Sequence, residues 1–201
     1  MGEHVIDIGP RVPRTAHPLL RRVAAGLLRL AGWRLDVHFP DEPKLVVLGA
    51  PHTSNWEGVL AVLAVLAMEL RIGLFVKHTA FDNPVIGRIL RGLDAVPIDR
   101  GAPGGVVTQT VEAFRTRPQL AIAIAPEGTR KRVEKWKRGF YLIAQEAGVP
   151  IVCAYVDYAR KVVGTGPVLR ASGDYARDLE AIQAFYRGIT PKRPDNFNAS
   201  G

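Results

Sequence analysis

The sequence predicts an α/β fold: a single domain with a largely parallel sheet flanked by helices and an amphipathic helix at its N-terminal side. Short apolar runs and stretches of helical periodicity alternate through most of the chain, without internal repeats. Its 201 residues suffice for one sizeable core, and 47% hydrophobic with 23% charged residues is an ordinary globular composition. Several polar, arginine-bearing segments fall directly after apolar runs. In an α/β protein that is where the carboxyl ends of strands expose reactive side chains.

Residues 1–17 contain Pro10, Pro13, Arg11 and Arg14 without periodicity and are expected to form an irregular arm. The domain proper is expected over 18–189. From Pro18, Leu19, Leu20, Val23, Ala24, Leu27, Leu28 and Ala31 recur at helical spacing, while Arg21, Arg22 and Arg29 punctuate the other side. Two readings are open for this helix. It packs on the core with a solvated arginine face, or it lies in a membrane interface with leucines towards the acyl chains and arginines on anionic headgroups. Residues 33–39 alternate as a half-exposed strand does, and 44–50 form a buried one. Residues 58–70 read as a helix, 72–77 as a strand, 84–91 as a short helix and 95–98 as a brief extended piece. A helix over 106–116, a buried strand over 119–125, a helix over 139–147 stopped by Gly148 and a strand over 149–156 follow. Gly164, Gly166 and Pro167 mark 161–169 as an edge strand. A terminal helix spans 174–187 with Ser172 or Asp174 as cap, and 190–201 reads as a disordered polar tail.

The net charge of +8 calls for an anionic partner: nucleic acid, anionic lipid or a phosphorylated small substrate. Basic residues crowd positions 130–138 around Val133 and Trp136, so a nucleic-acid-binding domain with Trp136 as a stacking residue is one reading. The single cysteine, Cys153, excludes an intrachain disulfide framework and lies in an apolar run as a small core residue does. No signal peptide and no span of roughly 20 apolar residues is visible, so a soluble or peripheral cytoplasmic protein is expected.

Chemistry concentrates in Ala50-Pro51-His52-Thr53-Ser54-Asn55-Trp56-Glu57, between the buried strand and the helix that follows. Residues five apart on one helix differ by about 140° in direction, so His52 and Glu57 meet only if His52 lies in the turn. Ser54 or Asn55 then caps the helix and Glu57 sits in its first turn. Glu57 is positioned to accept the Nδ1–H of His52, leaving Nε2 as a base towards a hydroxyl. The plainer alternative is a locally satisfied loop histidine, with Glu57 merely favouring a helix N-terminus. A metal-ligand reading of His52 and Glu57 has His78 as its nearest further candidate, at no recognised ligand spacing. Arg100 and Arg130 each follow an apolar strand, where a guanidinium suits bidentate recognition of phosphate or carboxylate.

Taken in order, Pro51-His52-Thr53-Ser54-Asn55-Trp56-Glu57, Val96-Pro97-Ile98-Asp99-Arg100, Pro126-Glu127-Gly128-Thr129-Arg130 and Val149-Pro150-Ile151-Val152 resemble the four blocks of the glycerolipid acyltransferases of the lysophosphatidate (1-acylglycerol-3-phosphate) type. The resemblance covers roughly residues 44–156. It implies transfer of a fatty acyl group from a thioester, on coenzyme A or acyl carrier protein, to a hydroxyl of a glycerol-phosphate-type lipid in phospholipid biosynthesis. His52 is then the general base oriented by Glu57, in an HX4E motif. Arg100 and Arg130 bind the acceptor's phosphate, with Glu127, Gly128 and Thr129 shaping its pocket. No metal or cofactor is implied beyond the acyl-CoA or acyl carrier protein co-substrate. The expected setting is peripheral, on the anionic inner face of a membrane, with no nucleic acid. The family's usual residue at position 57 is aspartate, so glutamate is a departure. An acceptor of another kind, such as a different lipid or glycolipid alcohol, remains an alternative.

Overall fold

In the computed structural model, which describes residues 5–92, 94–99 and 105–199, strands and helices alternate as expected. In chain order they are β1 (Val5–Ile8), α1 (Pro18–Leu30), β2 (Arg34–Phe39), β3 (Lys44–Gly49), α2 (Asn55–Ala67), β4 (Ile72–Gly73), β5 (Phe75–Lys77), α3 (Pro84–Gly92) and β6 (Val96–Ile98). Then follow α4 (Gly105–Thr116), β7 (Leu120–Ile124), α5 (Gly139–Ala147), β8 (Ile151–Asp157), β9 (Val162–Leu169) and α6 (Tyr175–Tyr186). Among the described residues, seven strands form one sheet in the order β1-β2-β9-β8-β3-β7-β4, and β5 pairs with β6 in a small second sheet. Every junction of the main sheet is parallel except β8–β9, which is antiparallel.

The alternation of β3 shows why the sheet needs cover on both faces. Val46 and Leu48 point into one cluster, shared with Phe114 of α4, Phe140 of α5 and Ile182 of α6. Leu45 and Val47 point into the other, shared with Leu28 of α1 and Leu60 and Ala64 of α2. Strands buried on both faces read as continuous apolar runs, as β3 and β7 do. The expected architecture is therefore observed.

Several expectations are corrected. The arm is not irregular throughout, because Val5–Ile8 pairs in register with Asp36–Phe39 and covers the edge of β2. Residues 72–77 do not form one strand; Ile72–Gly73 joins β7, and Phe75–Lys77 leaves the main sheet for β6. The 161–169 strand is not an edge. It lies between β2 and β8, and its glycines serve close packing: a Cβ on Gly164 would stand 2.5 Å from the Asp36 carbonyl oxygen. Residues 190–199 are ordered against the domain, with the Thr190 carbonyl accepting from Tyr158 N–H at 2.8 Å and Phe197 packed on the core.

Two features bear on binding. Leu28 and Ala24 of α1 are buried, whereas Leu19, Leu20, Val23, Leu27 and Leu30 form an exposed stripe, with Leu30 87% exposed. The helix thus packs on the core and still presents a second apolar side. Trp136 is buried edge-to-face against Tyr186, 5.7 Å between ring centroids, so it is not a stacking platform for bases.

Candidate active site

β3 and β7 are parallel neighbours with Leu48 opposite Ile124, so the loops that leave their carboxyl ends emerge side by side. The first carries His52 and the second Glu127. The result is a direct contact: His52 N–H donates to Glu127 Oε1 at 3.1 Å. α2 starts immediately after His52, because Ser54 takes the extended N-cap conformation and its Oγ accepts from Trp56 N–H at 3.2 Å. The imidazole lies over Gly58, its Cε1 3.9 Å from where a Cβ at that position would stand.

Glu57 occupies the third helical position and folds back in a capping box. Its Oε1 accepts from Thr53 Oγ1–H at 2.6 Å and Lys192 N–H at 3.1 Å, and its Oε2 from Ser54 N–H at 2.6 Å and from the Ser54 hydroxyl. These four donors, rather than the imidazole, hold the carboxylate. Among the described residues no hydrogen bond joins His52 to Glu57, so the expected Nδ1–H contact is not made. The two remain close enough that the Glu57 charge acts on His52. Burial raises the Glu57 pKa, but the bonds from Ser54, Thr53 and Lys192 outweigh it and hold the carboxyl below its ordinary range.

Burial pushes the His52 pKa down; the Glu57 charge opposes this and the Arg130 guanidinium adds to it. The net direction is a neutral imidazole near pH 7, the form a general base needs. Burial also pushes Glu127 up to about 7, against the His52 N–H bond that lowers it, with the Glu57 charge pushing the same way as burial. Among the described residues, Glu127 Oε2 is buried and lacks a partner.

The remaining predicted residues frame the opening. Gly128 turns the chain at φ +63°, with its N–H on the Ala125 carbonyl at 3.1 Å, and the Lys137 side chain covers it. Thr129 is exposed and its Oγ1 accepts from Lys131 N–H at 3.3 Å. The Arg130 guanidinium reaches across to donate to Asn55 Oδ1, at the first turn of α2. Arg100 lies outside the described residues. The structure thus brings His52, Glu57, Glu127 and Arg130 together. Cys153 is buried, and burial pushes its thiol up to about 12, which removes it as a nucleophile at neutral pH.

Sequence reasoning missed Thr53, Lys192 and Tyr158. The Ser54-x-x-Glu57 spacing was the visible sign of the capping box. Nothing local marked Lys192, which reaches Glu57 across 135 positions. Tyr158 follows β8, where burial and then the Glu57 charge push its hydroxyl up to about 12. His78 faces Asp99 at 3.9 Å, and among the described residues no three His, Cys, Asp or Glu side chains gather as metal ligands do.

Residues 35–157 match the family model described as Acyltransferase. A chloroplastic 1-acyl-sn-glycerol-3-phosphate acyltransferase of Brassica napus, BAT2, is 22% identical over 169 residues, covering 82% of this chain and 49% of that protein. The 1-acyl-sn-glycerol-3-phosphate acyltransferase of Bacillus subtilis is 32% identical over 109 residues, 54% of this chain and 53% of that one. The chain spans about half the length of these curated relatives. In fold it resembles the crystal structure of the 1-acyl-sn-glycerophosphate acyltransferase PlsC from Thermotoga maritima. The TM-score is 0.57 at 14% identity, over 86% of this chain and 80% of that one.

Proposed function

Because the chain belongs to the Acyltransferase family, we propose that it transfers a fatty acyl group from a thioester to the free hydroxyl of a 1-acylglycerol-3-phosphate-type lipid, with His52 as general base. The observation that carries this reading is the placement of a neutral-leaning imidazole at the start of α2. It is fixed through its main chain by Glu127, with Arg130 across the opening.

A hydroxyl is a weak nucleophile at neutral pH, and His52 Nε2 takes its proton as the oxygen attacks the thioester carbonyl. The tetrahedral adduct then collapses, the C–S bond breaks, and the imidazolium returns its proton to the departing thiolate. Glu57 favours the imidazolium through its charge rather than by a hydrogen bond. The acyl group passes directly between substrates, so no enzyme nucleophile is needed. Arg130 and, from its position in the sequence, Arg100 bind the acceptor's phosphate, while Glu127, Gly128 and Thr129 shape the acceptor side. The donor is acyl-CoA or acyl carrier protein.

The exposed leucine stripe of α1 supports a peripheral reading, in which the stripe lies in an anionic membrane surface and Arg22 and Arg29 meet headgroups. Among the described residues no helix is long and apolar enough to cross a membrane.

The test is a screen of labelled acyl-CoA and acyl carrier protein donors against lysophosphatidate, glycerol 3-phosphate and other lipid alcohols. Wild type should acylate lysophosphatidate, and His52→Ala should abolish turnover while keeping a native melting curve. Unchanged turnover in His52→Ala would remove the imidazole from the reaction.

A further inference from the structure

Four residues of the segment after α6 touch the catalytic loop with the first turn of α2 or the basic loop behind it, although the whole segment lies beyond residue 157, where the family match ends. Its path is fixed at both ends. At the start, Thr190 accepts from Tyr158 N–H at 2.8 Å, and Ile189 and Pro191 are buried. At the far end, the Arg132 guanidinium donates to the Phe197 carbonyl at 3.1 Å and the Asn198 side-chain amide donates to the Val133 carbonyl at 3.2 Å. The Phe197 ring packs on the core.

Between these anchors, two successive backbone amides point at the site. Lys192 N–H donates to Glu57 Oε1 at 3.1 Å, and Arg193 N–H donates to Thr53 Oγ1 at 3.2 Å. The second bond has a directional effect. With one face of the Thr53 hydroxyl oxygen accepting from Arg193, its own proton is directed to Glu57 Oε1 at 2.6 Å. Both donors on Oε1 therefore depend on the strap formed by residues 190–198. The Lys192 ammonium meanwhile rests 5.2 Å from the Trp56 ring and 5.5 Å from the Tyr158 ring, which ties the strap across the start of α2.

We propose that Lys192 is a positioning residue for the transfer, acting through its backbone N–H: the strap holds the Glu57 carboxylate, and with it the field at His52, in the working arrangement. This inference rests on His52 being the base of an acyl transfer. It extends the site to a segment outside the matched family region. The titratable groups that face Glu57 are His52, Glu127 and Tyr158 after β8, while Lys192 meets it through its backbone N–H, with its ammonium beside the Trp56 and Tyr158 rings.

The test compares Lys192→Pro, which deletes the amide donor, with Lys192→Ala, which keeps it and removes only the ammonium. Carbon-detected NMR follows the Glu57 carboxyl and the His52 imidazole through pH, independently of turnover. Loss of the N–H donor should raise the Glu57 midpoint by roughly 0.5–1 pH unit in Lys192→Pro and leave it unmoved in Lys192→Ala. Lys192→Pro should also lower kcat about tenfold with little change in acceptor KM, and Lys192→Ala should lose less. A native-melting Lys192→Pro with an unmoved Glu57 midpoint would overturn the proposal, and so would equal shifts in both variants. Should Lys192→Pro fail to fold, Phe197→Ala loosens the strap at its far anchor. A smaller upward shift there supports the proposal, and none in a folded protein refutes it. The Glu57 shift in these variants, found together with a wild type that acylates nothing, would count against the acyl-transfer reading alone.

Discussion

Glu57→Gln isolates what the buried carboxylate does for the fold. A glutamine keeps the shape but offers one acceptor oxygen where the glutamate offers two. If that oxygen faces Ser54 N–H, the amide NH2 meets Lys192 N–H; if it turns the other way, it meets Ser54 N–H. The hydroxyls of Thr53 and Ser54 can rotate to accept, but a backbone N–H cannot. One buried amide donor is therefore stranded in either rotamer, at about 1–3 kcal/mol. The surviving bonds also lose the charge that roughly doubles their strength, which brings the total to about 2–4 kcal/mol. In a domain of this size each kcal/mol moves Tm by about 2–4 °C, so the variant should melt roughly 5–15 °C lower at pH 7. The pH dependence supplies the sign. The folded pKa of Glu57 lies below its ordinary 4.5, so the contribution is complete above that value and fades as pH falls through the folded one. Thermal melts of both proteins at pH 7 and at successively lower pH should show the gap closing in acid. Equal Tm values at pH 7, or a gap that persists unchanged in acid, would refute the reasoning.

Glu127→Gln has the opposite sign. Its folded pKa of about 7 lies above the ordinary 4.5, so wild-type stability should fall as pH rises between those values, and the variant should be spared that fall. Denaturant titrations should find the variant the more stable at pH 8, by on the order of 3 kcal/mol, and equal to wild type near pH 4. Arg130→Ala removes the guanidinium opposite His52 and should raise acceptor KM about tenfold while sparing donor KM; equal effects on both would contradict a phosphate-binding role. Replacing Leu19, Val23, Leu27 and Leu30 with serine should abolish co-sedimentation with anionic vesicles while circular dichroism stays native. Leu28 is excluded from that set because it is buried, and serine there would unfold the helix rather than release it.

The sheet was legible because β3, β7 and β8 are apolar on both faces and the helices between them are periodic. The turn at His52 was legible for the same reason, since Ser54 and Glu57 carry a capping spacing that local chemistry enforces. What failed depended on distant partners. Gly164 and Gly166 looked like edge markers, yet one makes room for the Asp36 backbone and the other for the Phe185 ring, and both demands come from packing. Val5–Ile8 is too short and too mixed to announce a strand, and only its pairing with β2 makes it one. The tail was dismissed for its polarity, although its backbone amides, which composition does not reveal, are what contact the site. Glu57 itself was placed correctly in the first turn but assigned the wrong donors, because a glutamate long enough to reach the imidazole is also long enough to fold back on its own cap.

The separation of 135 positions between Lys192 and Glu57 also sets an order of events during synthesis. A ribosome adding about 5–20 residues per second makes Lys192 roughly 7–27 s after Glu57. For that interval the nascent domain can build β3, α2 and β7 but holds an acid whose last amide donor has not yet been translated. Maturation of the pocket is thus timed by synthesis of the 190–198 strap rather than by collapse of the core.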